Sequence, residues 1–359
     1  MNNLIKSSAV ATLLGALACT ASAQSAVTVS GIIDTGVMSA NHVGNGTESK
    51  FSTANSILGV SNLGFSGKEE LGNGVSVIFQ LQAGFNPTSG VQSSAGSLFS
   101  RNSYVGVKGN FGTVTLGKQW NFNDDWLIGS VFKGGYNSGA IFKFSEFDAV
   151  SEIYNNTIKY VSPAINGLQG GLMYSAGENV AGSSVGNVYN IALKYAQGPF
   201  YMAASYDHEK DMAALNNTGN PYKLATIGAS YAFGAARARL GYAHSDIGGP
   251  GSFQSIPSLG ARKAHVIGVG IDYDVMPAMT VSADVLYRKN TTLSNSTHVY
   301  RLLGIYKLSP RTSLIANLAY LGNKDGASES LINTMSTAAG GGFADQTQNA
   351  LALGIRHAF

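Results

Sequence analysis

The chain has 359 residues, 44% of them hydrophobic and only 12% charged, about half the usual charged share. Lys and Arg number 23 against 20 Asp and Glu, a formal net charge of +3. This balance excludes a disordered charged chain, a coiled coil and a dedicated nucleic-acid binder. A mean hydropathy near zero excludes a bundle of apolar membrane-spanning helices.

The N-terminus reads as a secretory signal over residues 1–23. Lys6 supplies the positive start, Ala9 to Ala18 the short apolar stretch, and Ala21, Ser22 and Ala23 a small-residue cleavage site before Gln24. Cleavage there removes Cys19, the only cysteine, so the exported chain is expected to hold no disulfide. The remainder, residues 24–359, is expected to be one domain.

From Gln24 onward the dominant pattern alternates with period two, as in strands with two different faces. Ile267, Val269, Ile271 and Tyr273 alternate with Gly268, Gly270, Asp272 and Asp274. Val281, Ala283, Val285 and Tyr287 alternate with Ser282, Asp284 and Arg288. The apolar face repeatedly carries Tyr or Phe near its ends. About 16 strands are predicted: 27–37, 57–68, 74–86, 98–109, 111–119, 155–162, 168–175, 186–197, 199–208, 222–233, 235–244, 263–275, 278–289, 296–308, 311–321 and 347–359. Short turns alternate with long polar loops. Among the turns are Asn73–Gly74, a hairpin dipeptide, and Met276–Pro277; the loops fall near 38–56, 87–97, 120–154, 176–185, 209–221, 245–262, 290–295 and 322–346. Strands long enough to cross a bilayer, alternating connections and both termini on the short-turn side predict an all-β, 16-stranded antiparallel transmembrane β-barrel in an outer membrane. A soluble β-sandwich also alternates, but its strands usually run about 5–6 residues, and acids and bases recur here on the non-aromatic face.

Five stretches carry a resemblance to a known family. They are Val27–Asp34 (VTVSGIID), Leu63–Gly72 (LGFSGKEELG), Arg101–Gln119 (RNSYVGVKGNFGTVTLGKQ), Asn156–Pro163 (NTIKYVSP) and Gly354–Phe359 (GIRHAF). In this order, across nearly the whole exported chain, they resemble the general porins of Gram-negative outer membranes, especially those of β-proteobacteria. The resemblance implies a homotrimer of 16-stranded barrels, each with its third loop folded inward to narrow the channel. It further implies passive diffusion of ions and small hydrophilic solutes, contact with outer-membrane lipid, and no cofactor. Residues 120–154 are then the constriction loop. Its aromatics Phe132, Tyr136, Phe142, Phe144 and Phe147 exceed what a free solvent loop needs.

Alternation assigns charges to the pore. Taking Tyr104 as outward puts Arg101, Ser103 and Val105 inside, with Arg101 as the leading wall cation; Lys118 falls outside. Lys159, Lys194, Arg237, Arg239, Arg288, Arg301 and Arg356 face in, as do Asp34, Asp207, Asp272 and Asp284. Glu146 and Asp148 lie in the third loop, where Glu146 and Phe147 resemble the family's acidic loop motif. An acidic loop opposite a basic wall would set a transverse field across a narrow gap. The expected constriction is therefore Arg101, Glu146, Asp148, Lys159, Asn62 and Gln82, with Asp34, Arg288, Arg301 and Arg356 as further lumen charges. Three positions depart from the family: Asn62 stands where an Arg is common, Gln82 where a Glu is, and Ile153 where an Arg is. These neutral residues argue against strong anion selectivity and for less polar solutes.

Other functions find less support. Asp207 and His208 are the one suggestive pair for an outer-membrane enzyme, but neighbouring strand residues point to opposite faces, and no nucleophile, base and orienting acid come together. No metal-ligand spacing is present, so no metal is expected. A substrate-specific channel on the same barrel remains open because of the neutral constriction residues. A structural adhesin does not explain the long third loop, and a plugged receptor of about 22 strands does not fit the length.

Overall fold

The computed structural model describes residues 26–43, 46–128, 130–131, 153–177, 186–210, 221–247, 262–331 and 343–359. The expected signal segment lies outside the described residues. The strands are β1 (Ala26–Val43), β2 (Glu48–Asn55), β3 (Asn62–Gly72), β4 (Val75–Gly84), β5 (Ser103–Gly109), β6 (Gly112–Trp120), β7 (Ile153–Val161), β8 (Leu168–Ser175) and β9 (Val188–Gln197). They continue as β10 (Phe200–Glu209), β11 (Tyr222–Phe233), β12 (Ala236–Ile247), β13 (Arg262–Met276), β14 (Met279–Asn290), β15 (Ser296–Lys307), β16 (Thr312–Lys324) and β17 (Thr347–Ala358). One turn of π-helix, Asn123–Ile128, follows β6.

From β3 onward each strand pairs antiparallel with the next, and β1 closes the ring on β17 from Ile32 opposite Ala358 to Ala40 opposite Ala350. Gly31 and the terminal Phe359 exchange both backbone hydrogen bonds at 3.0 Å. β2 and β3 lie on the same side of β1 and are two halves of one stave, so the 17 segments make a closed barrel of 16 staves. Closure leaves no free edge in the ring of β1 and β3–β17, which is what a strand-built structure needs in hydrocarbon; β2 pairs with β1 alone.

Alternation sets the two faces. On β13, Ile267, Val269 and Ile271 are 47%, 54% and 43% exposed on the outside, while Gly268, Gly270 and Asp272 between them are buried inside. An outward surface this apolar is stable only against lipid. Tyrosines and a phenylalanine flank the apolar rows: Tyr231, Phe233, Tyr273 and Tyr306 toward the short turns, Tyr189, Tyr206, Tyr242, Tyr287 and Tyr300 toward the long connections. One of the two-residue turns is Asn73–Gly74, both at positive φ (52° and 74°), the geometry that lets two residues reverse right-twisted strands.

The first hairpin differs from the polar loop expected over 38–56. β1 runs on to Val43 and β2 begins at Glu48, with Ser39 opposite Phe51 and Asn41 opposite Ser49. Small polar residues here alternate as a strand, and polarity alone does not distinguish a strand that has left the membrane from a loop. The real interruption is at 56–61, where the Asp34 carboxylate accepts the backbone N–H groups of Ile57 (2.7 Å), Leu58 (2.9 Å) and Gly59 (3.1 Å).

Candidate functional site

The third connection begins where β6 ends. A register shift between Gly117 and Gln119 bends β6 against β7. Gly117 sits at φ 133°, and a side chain there would strike the Ser103 carbonyl. Asn121 then caps the helical turn, its Oδ1 accepting from Asp124 N at 2.9 Å. From this point the chain runs along the inner wall. Phe122 N donates to Asn190 Oδ1 on β9 at 2.8 Å, Asn121 Nδ2 to Asp207 Oδ1 on β10 at 3.4 Å, and Tyr201 OH to Trp126 O. Arg239 Nη1 on β12 donates to Val131 O at 3.3 Å. Phe122, Leu127, Ile128 and Val131 are fully buried. Two glycines on the wall make room: a side chain at Gly171 would enter the Phe122 ring, and one at Gly228 would meet Val131. Residues 121–128 and 130–131 thus lie inside the barrel from β6 across to β12. Residues 132–152, including Glu146 and Asp148, lie outside the described residues.

The wall cations meet this segment through rings and carboxylates. Lys159, 5% exposed, donates to Trp120 O at 2.7 Å, pairs with Asp125, and lies 4.4 Å from the centroid of the Phe122 ring. Lys194 lies 4.7 Å over Trp126. Arg101, just before β5, stacks 4.6 Å over Trp120. Such contacts attract a cation to the electron-rich face of a ring and strengthen when desolvated.

The other sequence-predicted residues fall into distinct settings. Asn62 and Gln82 bond each other, Gln82 Nε2 donating to Asn62 Oδ1 at 2.9 Å. Asp34 is inward but sealed beneath 57–59, with Arg356 Nη1 3.8 Å away. Arg301 Nη2 bonds Asp284 at 2.9 Å; Asp284 also holds Arg239 at 2.8 Å, and Arg239 reaches Asp272 at 2.9 Å. Arg288 reaches Glu329 at 3.3 Å. Lys118 donates to Asn155 Oδ1 at 2.9 Å. Asp207 is buried inside and His208 lies on the opposite, outer face.

Alternation misassigns β5. Tyr104 faces inward, donating to Gln80 Oε1 at 3.1 Å, and Val105 is 51% exposed outside. A tyrosine in this barrel marks the lipid face only when its hydroxyl has no interior acceptor, and Gln80 supplies one. Tyr104 joins Gln80, Asn102, Gln119, Trp120 and Asp125 around an alcove of about 240 Å³ in the inner wall. The positions that seat the third connection, Asn190, Gly171 and Gly228, escape sequence reading because each looks like an ordinary strand residue; a Gly at an inward position opposite a long aromatic loop is the one signal available.

A closed 16-stave barrel with a lipid-facing outer surface and a chain segment against its inner wall is an outer-membrane channel. A family model described as Gram-negative porin matches residues 9–326, and the chain belongs to that family. It is 31% identical to outer membrane porin protein 32 of Delftia acidovorans over 99% of this chain and 100% of that one. It is 29% identical to an outer membrane porin of Bordetella pertussis over 97% and 98% of the two chains. Among solved structures, an anion-selective porin from Comamonas acidovorans superposes with a TM-score of 0.81 at 28% identity, covering 93% of this chain and all of that one. The protein is an outer-membrane porin, a channel for passive diffusion.

Proposed function

We propose that the protein is a homotrimeric general diffusion porin whose bore is set by the connection between β6 and β7, with a modest preference for anions carried by Arg101 near its base. The observation that carries this reading is residues 121–128 and 130–131 lying inside the barrel, clamped by Asn190, Lys159 and Arg239. A segment so held gives the rest of the connection a rigid root within the lumen. The bond between the neutral Asn62 and Gln82 leaves no charge at those two positions, which supports a weak preference rather than a strong one. The anion selectivity of the Comamonas porin supports the sign.

The test is single-channel current in a planar bilayer across a KCl gradient, with protein folded in detergent. Conductance steps in threes and a small reversal potential of anionic sign are expected. Absence of steps from folded barrels would overturn the reading. Removing residues 140–148 is expected to raise conductance, and an unchanged value would mean that the connection does not set the bore.

A second reading, a substrate-specific channel, draws on the alcove of Gln80, Asn102, Tyr104, Gln119 and Trp120. Its amides, its indole and the Asp125–Lys159 pair offer donors and acceptors to a hydroxylated solute. Conductance that one such solute saturates at low concentration would favour it.

A further inference from the structure

The inner wall between the root of the third connection and the short turns is hollowed. In the inward row of β5, Gly106 stands between Tyr104 and Lys108, opposite Ile78 of β4 and Thr115 of β6. It brings no side chain into the lumen, and one there would strike Val114 O and Thr115 Cγ2. Ile78, Tyr104 and Thr115, the residues around that gap, all line the alcove of about 240 Å³. At one end of the alcove Thr113 and Val161 form a cross-strand pair beside the turn between β5 and β6. At the other end Trp120 and Asp125 belong to the root of the third connection. With the long connections outside the cell, an entering solute meets the alcove after it has passed that root.

The lining has an apolar part, made by Ile78, Val161 and the Trp120 indole, and a set of hydrogen-bonding groups. Gln80 Oε1 accepts from Asn102 Nδ2 at 3.2 Å and from Tyr104 OH at 3.1 Å, which fixes both amides. Gln80 Nε2 is left as a donor and Asn102 Oδ1 as an acceptor, neither with a partner among the described residues. Asp125 gives one oxygen to Lys159 and keeps the other, on a half-exposed side chain. Among the described residues, Asp125 and Lys159 are the charged members of the lining, and they pair with each other, so the alcove carries no net formal charge.

A neutral ring with hydroxyls on its rim and C–H groups on its face matches all of these features. A hydroxyl both donates and accepts, so two neighbouring ones satisfy an amide or a carboxylate with no charge of their own. The C–H face packs against indole and aliphatic side chains. An inorganic ion would use Asp125 or Lys159 alone and would have to break their pair. The volume lies below the about 300–1,000 Å³ of pockets that enclose drug-sized ligands, so it suits a single ring. We propose that the alcove is a binding station for a monosaccharide in its pyranose form. Asp125, Gln80 and Asn102 hold its hydroxyls, and its C–H face lies on Trp120. The inference rests on the channel reading and narrows its substrate-specific form to sugars. A station inside a channel must bind weakly enough to release its solute, so half-saturation is expected at millimolar sugar.

The chain has two tryptophans, Trp120 and Trp126, so intrinsic fluorescence reports on the alcove independently of current. The experiment titrates the detergent-folded protein with methyl α-D-glucopyranoside and, separately, with mannitol, an open-chain polyol of similar mass, at constant KCl. Tryptophan emission and single-channel conductance are both read. The glucoside is expected to change emission and lower conductance saturably, with a shared half-point. Mannitol is expected to lower conductance only in proportion to its concentration. Asp125→Asn should raise the half-point about tenfold and Asn102→Ala about fivefold, the worth of a hydrogen bond to a charged and to a neutral group. Ile78→Phe, which fills the hollow and leaves the polar groups in place, should abolish saturation. Lys307→Gln, at the end of β15 and outside the alcove, should leave the half-point unchanged. Unchanged heat-modifiable gel mobility establishes that each variant is folded. Equal and unsaturated responses to the glucoside and mannitol would overturn the proposal. So would a half-point that Asp125→Asn and Asn102→Ala leave unmoved, or emission that follows KCl and not the glucoside, which would make the occupant an ion. Saturable emission in an unaltered protein that shows no conductance would support the site and count against the diffusion reading alone.

Discussion

Two stretches of the inner wall both carry inward cations and hold them in opposite ways. Along β7 and β9, Lys159 and Lys194 turn to the segment that enters the barrel, meeting Asp125, Phe122 and Trp126. Along β12 to β15, Arg239, Asp272, Asp284 and Arg301 turn to one another, and Ser282 completes the group with a 2.7 Å bond to Asp272. In the first stretch the partner is a loop; in the second it is the neighbouring stave. Both are inward and both are charged, yet the first is coupled to the element that enters the channel through both its lysines and the second through Arg239 alone. Arg239 belongs to both, because it also donates to Val131. The sign and direction of a wall charge therefore do not define its role; what it is bonded to does.

The sharpest way to separate the two is Asp284→Asn. Asp284 is the shared partner of two buried guanidinium groups, and removing one member of a buried ionic group costs about 3–5 kcal/mol. Unfolding in urea, followed by tryptophan fluorescence, should show a loss of that order. Conductance at low urea should stay near that of the unaltered protein. A loss under about 1 kcal/mol would mean that the stave-to-stave network adds little.

Smaller in stability but larger in current is Gly228→Val. The added methyl groups enter the space of Val131, and overpacking of this kind costs about 1–3 kcal/mol. The strain is relieved by lifting the segment off the wall, so conductance and its noise should change while the ion network of β12–β15 stays intact. Asp125→Asn is gentler still. Its side chain is 41% exposed, so its pairing with Lys159 is screened and worth about 1 kcal/mol or less. Excess open-channel noise with nearly unchanged urea stability is expected. The reverse pattern, stability lost and current unchanged, would break the distinction between loop-held and stave-held cations.

The strands were legible because the outer face had to satisfy lipid over its full height. Alternation in stretches such as Ile267–Tyr273 leaves little choice of register, since a slip of one residue would put Asp272 into hydrocarbon. Interior positions were less legible, because a wet or partly filled lumen accepts many residue types. Tyr104 shows this: its hydroxyl serves Gln80 inside as well as it would serve a headgroup outside. Asp34 shows it differently. Its inward direction follows from alternation, but its work on the backbone of 57–59 depends on a break in the second stave that no local pattern announces. The seat of the third connection needs Gly171 and Gly228 on staves far apart in sequence, a pairing that only the closed barrel makes.

The smallest expected effect belongs to Arg101→Ala. Arg101 lies outside the stave-held network and stacks on Trp120 at the root of the loop, between the two arrangements. Its contact with the indole is worth about 0.5–2 kcal/mol, so the barrel should fold and melt almost as before. Selectivity is the sensitive reading. On the proposed reading, Arg101 supplies positive field that Lys159 and Lys194, bound to Asp125 and to rings, do not replace. The reversal potential across a KCl gradient should therefore move toward cations, with conductance changed by less than in Gly228→Val. An unmoved reversal potential would place Arg101 with the structural cations, as a clamp for Trp120, and would assign the field of the constriction to residues of the loop itself.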